Sequence, residues 1–136
     1  MLKRDSLTAQ MQQLSHTLAK VKRLILDNEP VEAAKSIEFV LADYYGTRVA
    51  DLITTPAHAF KQQLLEQQFA AEELARLADF IDLSAELHAD PATQRSLWEK
   101  VILLYDVLEE AHQTVSFDHI MRRATLLSLI KQDGNA

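Results

Sequence analysis

The chain has no cysteine, only two glycines and only three prolines among 136 residues. The first absence excludes disulfides, thiolate metal sites and cysteine nucleophiles. The shortage of glycine and proline removes most of the punctuation that hairpins and strand-rich folds need, and favours long helices joined tightly. Two isolated glycines cannot build a phosphate-cradling loop, and there is no Gly-x-Ser-x-Gly turn to present a serine nucleophile. No apolar run approaches the roughly 20 residues of a membrane span, and the opening "MLKRDSLTAQ" lacks the apolar centre of a secretory leader. The expectation is a cytoplasmic, non-enzymatic protein that takes no cofactor and enters no membrane.

What is present is ordinary globular composition, 48% hydrophobic and 25% charged, in a length suited to one domain over residues 1–136. The net charge of -6 is uneven. Residues 1–23 carry +4, residues 24–116 carry -11, and residues 117–136 carry +1. An acidic body repels phosphate backbones, which argues against nucleic acid as a partner.

The apolar spacing is helical throughout. Leu7, Met11, Leu14, Leu18, Val21 and Ile25 alternate steps of four and three, placing all six on one stripe of a helix from about Asp5 to about Asp27. Asp5 or Ser6 is positioned to cap it. The 3.5-residue period also suits a seam with a second copy, so a homodimer through this helix is one expectation.

Pro30, Pro56 and Pro91 each follow a polar residue and precede an amphipathic segment, so all three mark first helical positions. The second helix, "PVEAAKSIEFVLADYYG", points Ala33, Ala34, Ile37, Val40, Leu41 and Tyr44 inward and stops at Gly46. "TRVADLI" adds a short turn or two before Thr54 and Thr55 supply the next cap. The third helix directs Ala57, Phe60, Leu64 and Leu65 inward. A bend near residues 67–71 separates it from a fourth with Leu74, Ala78, Ile81 and Ala85 on its stripe. Leu97, Val101, Leu104 and Leu108 line the fifth, with Trp98, Ile102 and Tyr105 beside them. Ser116 caps a sixth carrying Ile120, Ala124, Leu127 and Ile130, and residues 131–136 form a frayed tail.

"KRDSLTAQMQQLSHTLAKV", "EAAKSIEFVLADYYG" and "SLWEKVILLYDVLEEAHQTVSFDHI" together resemble a bacterial domain-of-unknown-function family of short all-helical, tetratricopeptide-like proteins. The resemblance implies an all-α fold of about five to six antiparallel helices stacked as hairpins in a right-handed superhelix-type bundle, and it carries no catalytic residues. Ala33, Ile37 and Val40 match the small-then-large spacing of a repeat's second helix, with Val21 and Leu24 inward on the first. Strict 34-residue self-similarity is absent.

Few residues invite chemistry. Glu109 and His112 stand three apart, the spacing that puts two metal ligands on one helix face, but a metal site would need further ligands from facing helices. His88 and His112 fall near helix C-termini, where the dipole favours an imidazolium. Tyr44 and Tyr45 are adjacent, about 100° apart around a helix, so only one can face the core fully. Tyr44, Tyr45, Trp98 and Tyr105 are therefore the candidate interaction-surface residues, for an unidentified protein or peptide partner.

Overall fold

The structure is a computed structural model that describes the backbone of residues 2–134 and the side chains of residues 6–132. Among the described residues every regular element is an α-helix: α1 (Leu2–Leu26), α2 (Pro30–Asp43), α3 (Val49–Thr54), α4 (Ala57–Gln67), α5 (Ala71–Leu87), α6 (Pro91–His112) and α7 (Phe117–Gly134). No helix among them is long and apolar enough to cross a membrane. The contacts divide the chain into two compact units, residues 1–48 and 49–136.

In the first unit α1 pairs with α2. Met11, Leu14, Leu18 and Val21 of α1 and Ala33, Ile37, Val40 and Leu41 of α2 are buried. Ala33 is fully buried, and its small side chain suits a close helix crossing. The helix starts earlier than its sequence suggests, so Asp5 and Ser6 lie inside α1 and not at its cap. It ends where Asn28 takes a left-handed φ of 58°. The Glu29 and Asn28 amides then donate to Leu24 O (2.8 Å) and Ile25 O (3.1 Å), satisfying carbonyls the last turn would leave open. After α2, Gly46 adopts φ 66°, the conformation in which a glycine avoids the steric cost of a Cβ.

The second unit is organised on α6, which packs against α3, α4, α5 and α7, most extensively against α5. Leu74, Ala78, Ile81 and Ala85 of α5 and Leu97, Val101, Leu104 and Leu108 of α6 are all buried, as their spacing predicts. The bend expected near residues 67–71 is a true break. Gln68 turns left-handed (φ 55°), and α5 restarts with the Glu73 carboxylate accepting the Ala70 amide at 2.8 Å. Only this half of a capping box exists, since alanine has no side-chain acceptor to return the bond.

Several expectations are corrected. Among the described residues the helices number seven where about five to six are expected, the short helical piece expected in "TRVADLI" forming α3 in its own right. Pro56 occupies the cap position of α4, one residue before the helix. Thr54 and Thr55 donate backward, to Ala50 O (3.1 Å) and Asp51 O (2.6 Å), and so cap nothing ahead of them. Ala57 and Leu65 are exposed. α7 continues through Gly134, leaving only residues 135 and 136 of the expected tail outside the described residues.

The largest correction concerns which way α7 faces. Ile120, Ala124 and Leu127 point outward, while Leu126 is fully buried.

Candidate interaction site

In the first unit, α1 and α2 frame an open groove of about 260 Å³. Gln10, Gln13, Leu14 and Thr17 recur at steps of three, one and three, which places them on one face of α1. Phe39, Val40, Asp43 and Tyr44 supply the α2 wall. Leu14 and Val40 are buried and form the floor, while Phe39 stands 69% exposed at the lip. The Tyr44 hydroxyl donates across the groove to Gln10 Oε1 at 3.4 Å, and its ring meets Tyr45 edge-on at 4.9 Å. The adjacent tyrosines, which lie just past the end of α2, face different ways, but opposite to expectation. Tyr45 is the buried one and Tyr44 the groove-lining one. Asp43 is the sole charged residue of the lining, on a stretch (residues 29–43) with four acidic and one basic side chains.

In the second unit, α7 is held by polar contacts. Arg122 donates through Nε and Nη2 to the two carboxylate oxygens of Asp82 on α5, both at 2.7 Å, and Arg123 Nε donates to Asp106 Oδ1 on α6 at 3.0 Å. The side-chain hydrogen bond to Asp82 raises the Arg122 pKa further above its ordinary value. His119, in the first turn that Ser116 caps (3.1 Å), stacks on Tyr105 with ring centroids 4.5 Å apart. Burial, reinforced by the charges of Asp82 and Asp79, pushes the Tyr105 hydroxyl well above the usual phenol range. The hollow beside this stack holds about 30 Å³, room for one or two waters. A third, open hollow of about 270 Å³ is lined mainly by apolar residues of α4, α5 and α6, with His112 at its edge. Neither open groove reaches the roughly 300–1,000 Å³ of ordinary small-ligand pockets.

The candidate residues divide between the two units, Tyr44 and Tyr45 in the first and Trp98, Tyr105, Glu109 and His112 in the second. Tyr45 and Tyr105 are buried and so drop out as accessible surface, while Trp98 is half-buried and lines none of these three hollows. Glu109 borders the hollow beside Tyr105 and His112 borders the third. Among the described residues no group of three or more histidine, cysteine or acidic side chains is placed to hold a metal ion, so the Glu109–His112 pair gains no further ligand. The stripe of α1 offered as a dimer seam is buried from Met11 to Val21. His88 takes a capping role, its Nδ1 lying 2.8 Å from Ser84 O in the last turn of α5.

Two features escaped sequence reasoning. Phe39 is exposed on α2 between buried Ile37 and Val40, and Lys100 is buried on α6. Lys100 Nζ lies 5.9 Å from the centre of the Phe60 ring, and burial pulls its pKa below the usual lysine value. Its position, three residues after Leu97 and four before Leu104, already placed it on the edge of the core stripe.

Comparison with family models, curated proteins and solved structures finds no match to this chain.

Proposed function

We propose that the chain is a non-enzymatic protein–protein interaction module, a tetratricopeptide-like helical scaffold whose α1–α2 groove receives a segment of another protein. One observation carries this reading. Phe39 is 69% exposed at the lip of a groove whose floor, Leu14 and Val40, is apolar, the placement of an aromatic anchor at an interface.

The groove also indicates what kind of segment fits. Leu14, Val40 and the Phe39 ring suit one apolar anchor residue. The side-chain amides of Gln10 and Gln13 both donate and accept, as a peptide backbone requires. Asp43, on an acidic helix, suits a lysine or arginine beside the anchor. The occupant is therefore a short segment with a large apolar residue next to a basic one.

A photo-crosslinking residue (p-benzoylphenylalanine) in place of Phe39, introduced in cells that express the protein, tests this. The expected outcome is a discrete cross-linked protein from position 39, lost on adding Leu14→Arg, and none from a control at the exposed Glu72. Absence of any adduct at 39, or the same adducts from both positions, contradicts the reading.

A further inference from the structure

The amphipathic face of α7 that should pack inward packs outward. Phe117 (74% exposed), Ile120 (53%), Met121 (54%) and Leu127 (44%) lie with Ala124 on one helical stripe. The inward side is instead set by Leu126 and the pairs Arg122–Asp82 and Arg123–Asp106. These contacts fix the helix's rotation, so the apolar stripe is held in water by design of the polar face.

We propose that this stripe is the seam of a homodimer, in which α7 packs antiparallel against α7 of a second copy. Three observations favour a second copy as occupant. Phe117, Ile120, Met121, Ala124 and Leu127 themselves carry no charge, so the stripe offers a strongly charged partner nothing to pair with. Asp118 stands in the first turn of α7 and Lys131 in the last, with Asp133 two residues further on. An antiparallel copy sets Asp118 of one chain beside Lys131 of the other twice over, and opposes the helix dipoles favourably. Finally Ala124, midway along the stripe, has the small side chain a close two-fold crossing needs.

The exposed apolar side chains offer on the order of 500 Å² per copy, about 1,000 Å² for the pair, which is the lower bound for a specific interface. An anionic lipid surface fits less well, because the stripe lacks a flanking row of lysine and arginine and the chain as a whole carries -6. The seam lies in the second unit and the α1–α2 groove in the first, so either reading can fail without the other.

The test is sedimentation velocity on the full chain from about 1 to about 300 μM. The expected mass rises from 15.4 kDa towards twice that value. Phe117→Asp with Met121→Asp should weaken association at least about a hundredfold with helicity unchanged. Lys131→Glu alone should weaken it, and Asp118→Lys added to Lys131→Glu should restore it. Because no native cysteine competes, Ala124→Cys should form an interchain disulfide on mild oxidation. A monomer throughout the range overturns the proposal. So does a dimer indifferent to the Phe117 and Met121 changes, or a monomer that sediments with phosphatidylglycerol vesicles.

Discussion

Phe80→Ala is expected to lower the unfolding free energy by about 3–5 kcal/mol, a large share of the roughly 5–15 kcal/mol by which domains are stable. Phe80 is the largest fully buried side chain among the described residues and belongs to α5, the helix with the most extensive packing on α6. Truncating it removes a ring's worth of apolar burial and leaves a cavity whose walls are helices tied at both ends by short connections, so little collapse can offset the loss. Urea unfolding followed by circular dichroism gives the magnitude, and hydrogen exchange gives the location. Protection should fall first across α5 and α6. A loss below about 1 kcal/mol would mean that Phe80 is not at the centre of this unit.

Ile37→Ala is expected to have the second largest effect, about 2–4 kcal/mol, and in a different place. Ile37 is 1% exposed on α2, one turn after the fully buried Ala33. The first unit has only two helices, so a β-branched side chain there is a larger fraction of the available core than any one residue of α5 or α6. Hydrogen exchange should show protection lost across α1 and α2, with α5 and α6 affected less. Equal loss in both units would contradict the division of the chain at residue 48.

Where the sequence was legible, the signal was redundant. The α5 and α6 stripes repeat their period over four residues each, and all eight are buried. Asp90 before Pro91 marks a helix start by two independent devices, and its carboxylate accepts both the Thr93 amide (3.0 Å) and hydroxyl (2.8 Å). Those bonds hold the Asp90 pKa below its ordinary value, the side-chain bond contributing most.

Helix ends were harder because the chain ends them with unusual residues. Asn28, Gln68 and Gln113 all take left-handed φ values that glycine would adopt without strain. A glutamine announces no such turn, so the break after α4 could be placed only through the improbability of an unbroken helix. The sense of α7 was illegible for a related reason. Its apolar residues define a stripe, but a stripe does not say whether the core or another molecule covers it. Arg122 and Arg123, which on composition belong to solvent, face Asp82 and Asp106 from positions forty and seventeen residues away in the chain. That pairing is tertiary and has no local signature. The Phe39 groove failed to show for the same reason: one exposed phenylalanine among buried neighbours is a deviation from pattern, visible only once α1 is in place beside α2.

The central claim is that large apolar side chains stand in solvent at Phe39 and along α7 while their neighbours on the same helices are buried. Single-cysteine variants in this cysteine-free chain, labelled with a thiol reagent in dilute solution, measure it directly. Phe39→Cys and Met121→Cys should react at the rate of an exposed thiol, and Ile37→Cys and Leu126→Cys at least about a hundredfold more slowly. Reaction at position 126 as fast as at 121, or at 37 as fast as at 39, would show that these helices face the other way.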